Sequence, residues 1–266
     1  MGTGPRGAAI PRLVVHWCPG PCVARLSRMP ETVVIQALDG DLPALRFAPH
    51  SPNGAGVVVV QEIFGVSPYI VGRCQDLADE GYVVLAPILY DRLPDAPAFD
   101  PSAPDYLSKG MAASSGMDWD TAVRDGVAAV NTLRAEPGVT KVGLLGFCLG
   151  GGLAFNVAAV TDADALVSYY GSALPRLLGL APQVSAPQLH HWGTEDSFID
   201  GAAQAEVHAA VGGSPGPVLW KVYEGAGHAF DNNDVQYFHH AAASAAAWPV
   251  TLEFLGTHLL EQASNG

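Results

Sequence analysis

The stretch Leu144-Leu145-Gly146-Phe147-Cys148-Leu149-Gly150-Gly151-Gly152 runs from an apolar segment into a single thiol and then into three successive glycines. Lys141 to Phe147 has the length and apolar character of a buried strand, and a helix is predicted to follow Cys148. Gly146 to Gly150 fits the pattern glycine, any residue, nucleophile, any residue, glycine, with cysteine in the nucleophile position. The geometry of such a turn accounts for its glycines. A strand that reverses into a helix within about one residue strains the middle residue, and side chains at the flanking positions would collide. A helix beginning at the thiol sets its positive end against the sulfur and favours thiolate. The NH of Leu149 then points to where an oxyanion would form. The competing reading of Cys148 is a buried structural cysteine beside a glycine-rich packing turn.

Outward from this turn the chain alternates strands and helices. Thr32 to Leu38 and Leu42 to Pro49 read as strands joined at Asp39-Gly40. Gly56 to Gln61 is a continuous β-branched run, as expected of a strand covered on both faces. Ser67-Pro68 predicts a helix start, with Ile70, Cys74, Leu77 and Ala78 on one face and Gly81 at the end. Tyr82 to Pro87 is the next strand, and Tyr90 to Gly116 reads as a proline-rich irregular segment. Asp120 is the expected cap of a helix carrying Val123, Val127, Val130 and Leu133. Strands are expected at Ala165 to Tyr170, Pro187 to Trp192 and Val218 to Tyr223. Pro249 predicts a kink, or two separate helices, between Tyr237 and Leu260. This alternation implies a mainly parallel sheet with helices on both faces, and ligands bind at the carboxyl ends of such strands.

Residues with reactive side chains fall at those ends. Asp196 follows the strand that ends at Trp192, and His228 follows the one that ends at Tyr223. Nucleophile, acid, base is the chain order of the α/β-hydrolase fold. In that arrangement Asp196 orients His228, and His228 activates Cys148 or water. Glu195 is the competing acid; a loop histidine and a turn aspartate are the plainer readings of the other two. Glu62 ends the Gly56 to Gln61 strand, where a carboxylate would face the thiol, and the NH of Ile63 would be the second oxyanion donor. Its plainer reading is a satisfied strand-end carboxylate.

Bulk composition narrows the alternatives. With 266 residues, 49% hydrophobic and 15% charged, the chain suits a well-packed globule. A net charge of -13, from 26 acidic against 13 basic residues, disfavours nucleic acid and anionic membranes. No run of 18 or more apolar residues is present. Four cysteines, Cys18, Cys22, Cys74 and Cys148, are too sparse for a disulfide scaffold, and a reducing cytoplasm is expected. Residues 1–28 are rich in Arg and Pro and read as a flexible tail, or as an upstream start ahead of Met29, leaving 29–266 as a single α/β domain. Cys18 and Cys22, even with His16, supply too few ligands for a zinc site. Adjacent His190 and His191 would face opposite sides of a strand, so no metal or other cofactor is expected.

Gln61-Glu62-Ile63-Phe64-Gly65, Gly81-Tyr82, Ala86-Pro87, Leu89-Tyr90, the cysteine elbow, Gly193 with Asp196, and Gly227-His228 with Phe230 together resemble the dienelactone hydrolase family. The resemblance implies a Cys148-His228-Asp196 triad that hydrolyses small lactones or esters through a thioester, with Glu62 helping to generate the thiolate. The family holds a substrate carboxylate with arginines, one before the elbow and one shortly after the histidine. Neither has a counterpart here, which implies a weaker preference for anionic lactones. Arg92 and Lys109 are the remaining candidate cations, and Phe64 and Phe230 the candidate pocket aromatics. The same triad would also serve a thiol acyltransferase or thioesterase. A non-catalytic ligand-binding module is the alternative outside enzymes.

Overall fold

The computed structural model describes residues 29–260. The expected tail and its cysteine pair lie outside them. Eight strands form one sheet: β1 (Glu31–Ala37), β2 (Gly40–Phe47), β3 (Ala55–Val60), β4 (Val83–Pro87), β5 (Lys141–Phe147), β6 (Ala165–Tyr169), β7 (Gln188–Gly193) and β8 (Val218–Tyr223), in the order β1-β2-β4-β3-β5-β6-β7-β8. β1 and β2 make an antiparallel hairpin turning at Asp39-Gly40, and β2 meets β4 antiparallel. From β4 to β8 every pairing is parallel. The fold is that of the α/β-hydrolases. Central β3, Ala-Gly-Val-Val-Val-Val, is buried throughout, as its unbroken apolar run requires when both faces are covered.

Helices cover the two faces. α1 (Pro68–Asp79) and α6 (Ala241–Leu259) pack on one, with Ile70, Leu77 and Leu255 in a single core with Val57 and Phe147. On the other, α3 (Trp119–Arg134), α4 (Leu149–Ala159) and α5 (Gly201–Val211) bury Leu133, Leu153 and Val207 against Val58 and Leu144. α1 begins as expected, with Ser67 accepting from the NH of Ile70 and Pro68 in the first turn.

Two local expectations are corrected, and one left open between alternatives is narrowed. α3 is capped by Asp118, which accepts from the NH of Thr121, and not by Asp120, which lies in the first turn. Part of the proline-rich segment is helical: α2 (Tyr106–Gly116) lies beside Phe64, and a β-carbon on Gly110 would come within 2.8 Å of that ring. Its Gly and Ser content weakens the helical signal; contact with Phe64 and its stacking partner Tyr106 supplies what propensity lacks. One helix, α6, spans Pro249 where two helices were an alternative. Buried Thr251, Phe254 and Leu255 anchor the turns after the proline, which offsets its missing NH.

Candidate active site

All the parallel strands end on the same side, and there the predicted reactive residues meet. At the end of β5 the backbone of Cys148 adopts φ 54° and ψ -116°, a region that costs a non-glycine residue energy. Backbone bonds hold it there: its NH donates to the carbonyl of Tyr169, and its carbonyl accepts from Gly151 and Ser172. A β-carbon on Gly146 would collide with the backbone of Gly150, and one on Gly150 with the carbonyl oxygens of Val60 and Gln61. The glycines flanking Cys148 therefore answer a steric demand, as the sequence pattern implied.

The sulfur of Cys148 lies 3.1 Å from Nε2 of His228, and Nδ1 of His228 lies 2.8 Å from Oδ2 of Asp196. The other Asp196 oxygen accepts from the NH groups of Phe198 and Ile199, both at 2.9 Å, which fixes the carboxylate plane. Glu195 is exposed and plays no part in this contact. Burial by itself would lower the pKa of His228. The charge on the sulfur and the bond to Asp196 outweigh it and raise the imidazole to about 10. Such an imidazole keeps its proton at neutral pH beside the sulfur.

Glu62 is almost fully buried and lines the same cavity, but its recorded bonds are not to sulfur. Nδ2 of Asn232 donates to both of its oxygens, at 2.9 and 3.1 Å, and the Ser67 hydroxyl donates at 3.3 Å. Burial dominates and raises its pKa to about 8, against the lowering effect of those two bonds. Neither Asn232 nor Ser67 was singled out as a partner from the sequence. Asp231 and Asp234, the two acids after His228, have separate duties. Asp231 receives two bonds from Arg73 at 2.8 and 2.6 Å and one from Tyr69, while Asp234 accepts from the NH of Tyr69 at the start of α1.

Cys148, His228 and Glu62 open into a cavity of about 510 Å³ that also contacts Ile63, Leu149 and Phe64. Leu107 and Met111 of α2 form part of its wall. No helix among the described residues is long and apolar enough to cross a membrane, and none of their His, Cys, Asp and Glu side chains cluster in threes suited to a metal ion.

Residues 42–259 match the model of the dienelactone hydrolase family. The chain belongs to the dienelactone hydrolase family. It is 35% identical over 228 residues to a carboxymethylenebutenolidase of Pseudomonas putida, covering 85% of this chain and 95% of that protein. Carboxymethylenebutenolidase 1 of Cupriavidus pinatubonensis is 31% identical, over 74% of this chain and 84% of its own. The fold also matches the dienelactone hydrolase of Anabaena variabilis, with TM-score 0.64 and 19% identity over 88% of this chain and all (100%) of that one.

Within this dienelactone hydrolase fold three candidate substrate contacts are displaced. Arg92 pairs with buried Asp125 at 2.7 and 3.0 Å and donates to the carbonyls of Asp39, Gly40 and Asp41, so it ties the first hairpin to α3. Lys109 pairs with Asp105 at 3.0 Å on the side of α2 away from Leu107 and Met111. Phe230 is fully buried, packed edge-on to Tyr170 at 5.2 Å and against Tyr223, and does not line the cavity. Phe64 does line it. A cation absent from the sequence reading does line the cavity. Arg176, in a 3₁₀ turn (Leu174–Arg176) after β6, reaches the cavity wall beside Ser172 and Leu177. No local pattern marks it, because its place depends on how the chain after β6 folds back over the elbow.

Proposed function

We propose that this protein is a cysteine-dependent hydrolase of lactones or small carboxylic esters working through a thioester. The 3.1 Å contact between Cys148 and His228 at the floor of the cavity carries this reading. Family membership and the 35% identity to a carboxymethylenebutenolidase support the lactone and ester class. The unbridged Cys74 and Cys148 suit a reducing compartment such as the cytoplasm.

In this mechanism the Cys148 thiolate attacks the ester carbonyl carbon, and a carbon–sulfur bond forms as the carbonyl pair moves to oxygen. The NH groups of Ile63 and Leu149 receive that oxyanion, each contributing about 3 kcal/mol. Collapse breaks the bond to the alcohol oxygen, which takes the proton held by His228. His228, now neutral, removes a proton from water as the water attacks the thioester, and the thiolate leaves. Asp196 keeps the imidazole in the required tautomer throughout. Glu62, neutral around pH 7, adds no fixed negative charge beside the developing oxyanion.

Cys148→Ala tests the reading on a panel of p-nitrophenyl esters and small lactones. Turnover is expected to fall about 1000-fold or more, as when a covalent nucleophile is removed. Unchanged turnover in the alanine variant overturns it.

A further inference from the structure

Arg73 and Asp231 form a buried ion pair that takes no part in the reaction steps above. Asp231, three residues after His228, has a fully buried side chain whose carboxylate accepts bonds from two helices. Nε and Nη2 of Arg73 on α1 donate at 2.8 and 2.6 Å, the Tyr69 hydroxyl on α1 at 2.6 Å and the Ser244 hydroxyl on α6 at 2.6 Å. The Arg73 guanidinium lies 4.2 Å from the centre of the Trp248 ring on α6 and also donates to Asp76 at 3.0 Å and to Ser244 at 3.2 Å. These donors to Asp231 all come from outside its own loop.

The pair sits between two functional groups. Ala229, next to His228, has φ 57°, which a non-glycine residue keeps only where surrounding contacts over-determine the backbone. Asn232, next to Asp231, donates to both oxygens of Glu62. Residues 228–232 therefore carry the imidazole at one end and the partner of Glu62 at the other, with Asp231 pinned between them. The network also reaches the ring of His228: the hydroxyls of Tyr69 and Tyr170 are 3.2 Å apart, and the Tyr170 ring centre lies 5.3 Å from that of His228. A buried ion pair adds little net stability, because desolvation offsets much of the attraction, and fixing register is its best-attested use.

We propose that Arg73, acting through Asp231, is a positioning residue that sets His228 against the Cys148 sulfur and Asn232 against Glu62. The inference rests on the cysteine-hydrolase reading above and adds a control point on α1 that does not line the cavity. The contact at stake is the 3.1 Å approach of His228 to the sulfur, where a shift of about 1 Å can cost about 100-fold in rate.

Arg73→Met combined with Asp231→Asn tests this. It removes both charges, so neither is left buried alone, and the asparagine oxygen still accepts from the hydroxyls. The double variant is expected to unfold in urea near the parental midpoint, to lose about 100-fold in kcat on p-nitrophenyl acetate, and to keep KM within about threefold. Arg73→Lys, which keeps the charge but not the planar fork, is expected to fall between the two. Alkylation of Cys148 by iodoacetamide at pH 7, followed by mass on the peptide that carries it, reads the site without ester turnover. Thiol reactivity responds to a cation beside it, so the rate is expected to drop about tenfold in the double variant. Parental kcat and alkylation in the double variant overturn the proposal. So does a loss that only matches the fraction unfolded at the assay temperature, which is what a purely structural pair would give. Arg73→Lys decides in the same way should the double variant not fold. Should the parent hydrolyse no ester, the hydrolase reading fails, while slower alkylation of the folded variant still upholds the positioning and equal alkylation still refutes it.

Discussion

Asp196 gives one oxygen to His228 and the other to the NH groups of Phe198 and Ile199, so the carboxylate cannot rotate without losing three bonds. Its charge is one reason the imidazole holds its proton up to about 10. Asp196→Asn keeps the shape and removes the charge. The His228 titration, followed by NMR, is expected to move down from about 10, and kcat to fall by about 100- to 10,000-fold through the wrong tautomer. An unmoved titration means that Asp196 does not set the proton affinity of His228. The meeting of Cys148, Asp196 and His228 was legible because each follows a strand and Cys148 sits between two positions that tolerate glycine alone. Arg92, Lys109 and Phe230 were misplaced because a cation or a ring near the site in sequence says nothing about which partner takes it.

At the scale of elements, the junction between β5 and α4 is held by contact with β3. Gly150 lies so close to the carbonyls of Val60 and Gln61 that the first turn of α4 rests on the β3 backbone. Gly150→Ala pushes backbone against backbone, which no rotamer relieves. A loss of about 2 kcal/mol or more is expected in denaturant unfolding, with the Cys148–His228 contact disturbed and activity lost together. An alanine variant of parental stability contradicts this packing. The strands read correctly because their apolar runs are strong local signals. α2 did not, because its Gly- and Ser-rich sequence becomes helical only where Phe64 and Tyr106 stack at 3.8 Å. Asp118 and Asp120 both suit a cap, and only the direction of the entering chain separates them.

Over the whole molecule, a buried carboxyl that keeps its proton links stability to pH. Burial pushes the Glu62 carboxyl up to about 8 in the folded protein from its ordinary 4.5, so the folded state binds a proton that the unfolded chain has released. Stability therefore falls as pH rises from 4.5 to about 8 and is level beyond. Glu62→Gln removes this slope. The variant is expected to exceed the parent in stability by a margin that grows over that interval to about 2–4 kcal/mol, read from urea unfolding at pH 5 and pH 8.5. A margin independent of pH would show that Glu62 is already ionised when folded.

Sequence alone determined the order of strands and helices, the strained thiol between its glycines, and the aspartate and histidine that follow later strands. These depend on steric limits and apolar periodicity that act between neighbouring residues. Tertiary structure decided that Asn232, 170 positions away in the chain, holds Glu62, that Asp125 takes Arg92, and that Arg176 lines the cavity. Charges find their partners through space, and the sheet brings together loops whose separation along the chain carries no record of that meeting.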